Sequence, residues 1–321
     1  MLRASLAMPG VFFCLSIDCE CDKGPAWRSQ KPRRFTGIAV GLAGRIHPLC
    51  RAWGVVPTYL LSPEVLQDEA CVAELAALEN EAELGTHLHG EYVDPGAFDP
   101  DVTADFQRNY PPEVERQKLT ALTALFRSAF RRAPRSFRAG RFGIGPSTLS
   151  FLHELGYEVE SSVTPHIDWS GAGAPGLSFV GAPTQPYHPE ASDPVRLGAS
   201  PLLEVPVTVR PNALAALPLV GRWLEARWLR PTFQTGPGLI ALARDEIASA
   251  GRDRPVILNA MLHNVEVVAG ASPYAKNDDE AKVILARLAE LFAWLKREGI
   301  RSVGLADVPS LATWPGRQAA A

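Results

Sequence analysis

Short apolar runs of strand length return eight times along this chain, and most of the stretches between them carry helical periodicity. The runs are GVFFCLSID (10–18), VVPTYLL (55–61), AELGTHLH (82–89), SFRAG (136–140), YEVESSV (157–163), LLEVPVTV (202–209), PVILNAMLH (255–263) and SVGLADV (302–308). Strand and helix in alternation favour an α/β architecture with parallel strands, each buried on both faces and therefore apolar throughout. The intervening stripes agree. Leu119, Leu122, Leu125 and Phe126 share one helical face, and Leu149, Leu152 and Leu155 share another before Gly156, a residue suited to end a helix. In the last helix, predicted within 278–298, Leu285, Leu288, Leu291, Phe292 and Leu295 form a stripe with aspartates ahead of it and Gly299 behind. These stripes are read as core packing.

A chain of 321 residues can bury a large core, and a single α/β barrel reaches this size. One barrel domain over 1–321 is expected, with long loop insertions at 90–118, 164–200 and 211–235. Loops of that length in a compact barrel usually shape a site. With 32 basic against 35 acidic residues and a net charge of −3, nothing marks a nucleic-acid footprint. Five cysteines, an odd number, argue against a full disulfide framework and for a reducing, cytoplasmic setting. Cys19 and Cys21 have the spacing of a soft metal pair but lack a second pair, so inert thiols are the expectation. The opening MLRASLAMPGVFFCLSID runs straight into acidic residues and reads as a first strand rather than a leader. No run of about 18 uninterrupted apolar residues suggests a spanning helix.

Parallel strands in a barrel all point one way, so residues at their C-terminal ends meet around one mouth. Asp18 and Glu20 follow the first strand, His87 and His89 end the third, Arg138 and Arg141 end the fourth, Glu160 lies in the fifth and His263 ends the seventh. Residues two apart on an extended segment project from the same face and can approach one ion together. Two imidazoles and a carboxylate make a three-ligand site for Zn2+ or a similar divalent metal, with a position open for water. The other carboxylate is then free to act as a base, and an arginine near Asp18 would hold it ionised.

Five pieces of this sequence, SIDCE, GTHLH, FRAGRFG, ESSVTP and MLHNVE, occur in the order found in the polysaccharide deacetylases with a NodB-type domain, carbohydrate esterase family 4. The chain resembles that family over about residues 11–310, with its likeness running to the WalW-like branch. The resemblance implies a distorted (β/α) barrel of about seven to eight strands and a metal-dependent hydrolase that removes acyl groups from amino sugars. It implies Asp18 as general base, Glu20 as acidic metal ligand and His87 as the first histidine ligand. Arg138 becomes the residue that steadies the base, His263 the general acid, and Glu160 the carboxylate that orients His263. Two departures stand out. Cys19 separates acids that are adjacent in most relatives, and Glu91 stands where the second histidine usually falls. His89 is therefore taken as the remaining ligand, with Glu91 the alternative.

Backbone N–H groups around Gly140 and Arg141 are candidate oxyanion donors, and Trp169 is a candidate platform for a sugar ring. The segment 213–231, rich in Leu, Trp and Arg, reads as an amphipathic helix packed on the barrel or touching a membrane surface. The expected activity is hydrolysis of an N-acyl, most simply N-acetyl, group on an amino sugar or glycan. The rival readings are a cyclic amide or ureide hydrolase on the same fold and a catalytically silent glycan-binding protein.

Overall fold

In the computed structural model, residues 10–96, 106–172, 174–212, 226–251 and 253–316 are described. Eight strands form one sheet: β1 (Val11–Cys19), β2 (Pro57–Leu61), β3 (Glu83–Leu88), β4 (Ser136–Ala139), β5 (Val159–Glu160), β6 (Leu203–Glu204), β7 (Val256–His263) and β8 (Arg301–Ser302). Seven coincide with the apolar runs read from the sequence, and β8 meets its run only at Ser302. Every pairing in this sheet is parallel, in the order β7-β1-β2-β3-β4-β5-β6, and β8 lies against Phe12 and Phe13 of β1. The sheet curls into a distorted barrel with helices outside, the fold the sequence predicts. Eight of eight residues of β7 and the last seven of β1 are buried, as central parallel strands require.

Three strands are cut to two residues each. After Glu160 and after Glu204 the chain leaves the ladder, because Ser161 and Ser162 turn their hydroxyls to neighbouring strands and Pro206 has no N–H to give. The run from 302 gives only a two-residue strand and then the 3-10 turn Leu305–Ser310, which holds Pro309. The gap between β6 and β7 is bridged by side chains and one backbone bond. Asn259 N donates to Thr208 Oγ1 at 2.8 Å, Thr208 N donates to Asn259 O at 2.9 Å, and Gln185 Nε2 donates to Ile257 O at 3.2 Å while its Oε1 accepts from Ile257 N at 2.8 Å.

The helix Asp278–Arg297 begins at Asn277, whose side chain accepts from Glu280 N, with acids in its first turn and Lys296 and Arg297 in its last. Its expected stripe is buried at Leu288, Leu291, Phe292 and Leu295, with Leu285 partly covered. In Pro112–Phe130 the buried face holds Leu119, Leu122 and Phe126, and Gly156 closes Thr148–Leu155 at φ 90°. The wide helical segment Gly37–Ile46 presses on the turn after β7 so closely that a Cβ on Gly41 would sit 2.3 Å from Asn264 O. Residues 213–225 of the expected amphipathic helix lie outside the described residues. The remainder, 226–231, is not helical: Arg227–Trp228 pairs antiparallel with Val209–Arg210. Among the described residues no helix is long and apolar enough to cross a membrane.

Candidate active site

Register assembles the site. Asp18 is paired with His263 across β1 and β7, and His87 with Arg138 across β3 and β4, all at the C-terminal ends of their strands. Above them opens a cavity of about 570 Å3 whose walls include Asp18, Glu20, His87, His89, Trp169 and His263. The long loops contribute as expected: Tyr92 and Phe106 come from the first, Trp169 from the second and Arg230 from the third.

Behind Asp18 lies the fully buried Arg138. Its Nη1 donates to Asp18 Oδ1 at 2.7 Å, Nη2 to Ser16 Oγ at 2.8 Å and Ser161 Oγ at 3.0 Å, and Nε to Ser161 O at 2.7 Å. A buried guanidinium so fully bonded is a rigid, permanent charge. Burial by itself would raise the pKa of Asp18, but Arg138, His87 and His263 outweigh it and hold the carboxyl below its ordinary value.

Glu20, His87 and His89 bring one donor atom each to within 4.8 Å of one another, all buried. His87 Nδ1 donates to Arg138 O at 3.0 Å, which leaves Nε2 facing Glu20 Oε1 at 3.2 Å. His89 Nδ1 lies 3.1 Å from Glu91 Oε1, and its Nε2 faces the same Glu20 oxygen at 2.9 Å. Burial disfavours a charge on His89, yet Glu20 and Glu91 together push its pKa up to about 9. A site that draws a proton this strongly onto a nitrogen aimed at a carboxylate presents the same atoms to a cation. The donor set, two imidazoles and a carboxylate with outer partners on both rings, fits a divalent metal. Of the two alternatives, His89 points into the cluster and Glu91 stands behind it. The thiols of Cys19 and Cys21 stay outside, and burial pushes that of Cys21 up to about 11.

Arg141 reaches the cavity as the partner of Glu91, with Nη2 2.8 Å from Oε1, not of Asp18. Its φ of 55° and the 56° of Phe142 make the sharp turn after β4 that sends it there. Burial would raise Glu91, but His89 and Arg141 hold its carboxyl well below the usual range.

The expected partner of His263 is corrected. Glu160 makes its contacts with Ser162 and lies in register with Glu204 of β6. The carboxylate that meets the imidazole is Glu266, three residues after His263 in the turn Asn264–Val267, with Oε1 2.6 Å from Nδ1. Arg230 and Thr232 bond Glu266 in turn. Burial opposes its ionisation, but Arg230 and His263 prevail and bring its pKa down to about 2. The free face of His263, Nε2, stands 3.7 Å from Asp18 Oδ2. The same turn also braces Glu20, because Asn264 accepts from Glu20 N and donates to Glu20 O, both at 2.9 Å. Both residues sit in the MLHNVE string but were missed in the sequence; the acid three residues past His263 was the signal that could have found Glu266. The stretch past Cys21 also escaped the sequence reading, although its Trp27 places a ring 5.0 Å from that of His263 at 81°. Trp169 lines the cavity, with Nε1 donating to Thr164 Oγ1 at 3.0 Å and its ring stacked on Phe142 at 5.7 Å.

The curled parallel sheet with its site at the strand ends defines a distorted (β/α) barrel. No sequence profile of a known family matches the chain, and no curated protein matches it; solved structures match it in fold. A protein of Parabacteroides distasonis assigned as a glycoside hydrolase/deacetylase superposes with a TM-score of 0.61 at 10% identity, over 95% of this chain and 71% of that one. A Mycobacterium smegmatis protein assigned as a polysaccharide deacetylase gives 0.54 at 15%, over 98% of both chains. The Puue allantoinase gives 0.56 at 15%, over 96% of this chain and 91% of that one. At such identities the likeness is one of fold.

Proposed function

We propose that the protein is a divalent-metal-dependent hydrolase that removes an N-acyl group, N-acetyl in the first instance, from an amino sugar or glycan. The observation that carries this reading is the meeting, in one cavity, of a three-donor cluster, a carboxylate held ionised by a buried arginine, and an imidazole backed by a carboxylate. Binding alone has no use for a base and an acid 3.7 Å apart. The fold neighbours assigned as deacetylases support a carbohydrate amide as the substrate.

A divalent cation, Zn2+ by the nitrogen-rich donor set, would be held by Glu20, His87 and His89 and would supply Lewis acidity to the acyl carbonyl and to water. Asp18 takes the proton from the attacking water through Oδ2, the oxygen Arg138 leaves uncovered. His263, with Nδ1 committed to Glu266, delivers a proton from Nε2 to the departing amine, a poor leaving group without it. Gly140 and Arg141 are the backbone donors for the oxyanion. Trp169, with Phe142, offers a ring platform for the sugar. Five unpaired, buried thiols support a cytoplasmic setting, and we treat residues 1–321 as one catalytic unit.

The test is acetate release from N-acetylated oligosaccharides before and after chelation, with metal content measured alongside. Stoichiometric Zn2+ and activity that chelation abolishes and Zn2+ restores are expected. His87→Ala should lose the metal and Glu91→Ala should keep it. Turnover of ring amides or ureides alone, with no metal bound, would overturn the reading.

A further inference from the structure

Glu20 has two oxygens and two kinds of cationic neighbour. Oε1 faces both imidazoles, at 3.2 and 2.9 Å, while Oε2 forms an ion pair with the ammonium of Lys23 at 2.8 Å, without the alignment of a hydrogen bond. Lys23 is no surface lysine passing by: 5% of it is exposed, and its Nζ stands 5.4 Å from the centre of the Tyr92 ring. Its backbone is pinned on both sides, with Lys23 N donating to Ala271 O at 2.9 Å and Lys23 O accepting from Arg28 N at 2.8 Å. Glu20 is the carboxylate it pairs with, and the pair lies in the cavity wall. A lysine is costly to bury, and one placed on the carboxylate of a metal cluster works against the cation that the cluster would hold.

We infer that Lys23 is a positioning residue that divides Glu20 between two charges, keeping Oε2 for itself and offering only Oε1 to a divalent metal. This rests on the metal reading above. Two consequences follow from charge alone. The ammonium stabilises the metal-free protein by neutralising Glu20, and it repels a second cation a few ångströms away. Lys23 therefore holds metal affinity below what the three donors would reach without it, and keeps Glu20 a one-oxygen ligand. A lysine that merely ties the loop to the barrel predicts the opposite, since its loss would loosen Glu20 and weaken the site.

The experiment measures Zn2+ affinity of metal-stripped protein by competition with a chromophoric chelator. Lys23→Met should bind Zn2+ about tenfold more tightly than the unaltered chain, the sign set by removal of a neighbouring positive charge, while its metal-free form melts at a lower temperature. Lys23→Arg keeps the charge and should stay within about twofold of the unaltered affinity. Equal or weaker binding by a folded Lys23→Met protein overturns the inference, as does tighter binding by Lys23→Arg to the same extent. Absence of Zn2+ binding by the unaltered protein is a separate result that removes the metal reading and this inference with it. Should Lys23→Met fail to fold, Lys23→Gln, neutral and still polar, carries the same expectation.

Discussion

Asp18 and Glu20 are two residues apart and equally buried, yet their surroundings give them different work. Asp18 is anchored through one oxygen by Arg138, and its other oxygen faces Nε2 of His87 at 3.9 Å and of His263 at 3.7 Å. Glu20 is shared among two imidazoles and an ammonium. On the function proposed above, basicity falls to Asp18 and ligation to Glu20, and substitution should separate proton removal from proton delivery. Asp18→Asn keeps size but not basicity, so amide hydrolysis should fall roughly 10²–10⁴-fold with metal retained. His263→Ala should spare the metal too, but its defect should shrink on an activated aryl ester, whose leaving group needs little protonation. Rates for both variants on amide and ester check this, and equal losses for His263→Ala on the two substrates would remove His263 from the acid's role.

At the scale of elements, the short turn Asn264–Val267 carries more of the site than its length suggests. It follows β7 directly, supplies Glu266 to His263 and Asn264 to the backbone of Glu20, and is pressed in place by the glycine-faced helix at Gly41. Glu266 also ties this turn to Arg230 of the loop after the β6 region. Its pKa is about 2 in the fold against an ordinary 4.5. A depressed carboxylate stabilises the fold above its unfolded pKa, and the contribution drains away as pH falls from about 4.5 toward 2. The full shift corresponds to roughly 3 kcal/mol. Glu266→Gln should thus be less stable than the unaltered protein near neutrality by an amount of that order, and the gap should narrow across that acid window. Denaturant titrations at pH 6, 4.5 and 3.5 measure it, and a gap that stays constant would mean the charge on Glu266 contributes nothing to the fold. The run at 157–163 illustrates the limits of element-level reading: its strand was visible, but not that the ladder would stop at Glu160 and turn that side chain to Ser162 rather than to His263.

Across the whole molecule, the three donors come from Glu20 just after β1, His87 in β3 and His89 just after it, and β2 separates the two strands in the sheet. An unfolded chain cannot hold them together, so metal binding should stabilise the native state alone. At a Zn2+ concentration about 100-fold above the dissociation constant, the gain is about 2.7 kcal/mol, which should lift the melting temperature of the metal-stripped protein by several degrees. Scanning calorimetry with and without Zn2+ checks this, and His87→Ala should show no lift. The sequence by itself determined the strands, because burial on both faces of a parallel sheet demands apolar runs, and those runs are local. It also determined which strand ends carry Asp18, Glu20, His87, His89, Arg138 and His263, since an extended chain puts alternate residues on one face. Only the tertiary structure decided the partners. That Glu266 replaces Glu160 behind His263, that Arg141 turns to Glu91, and that Lys23 pairs with the second oxygen of Glu20 all depend on register between distant strands and on the path of turns. Those are set by packing across the barrel, and contacts of that range leave no periodic trace in the chain.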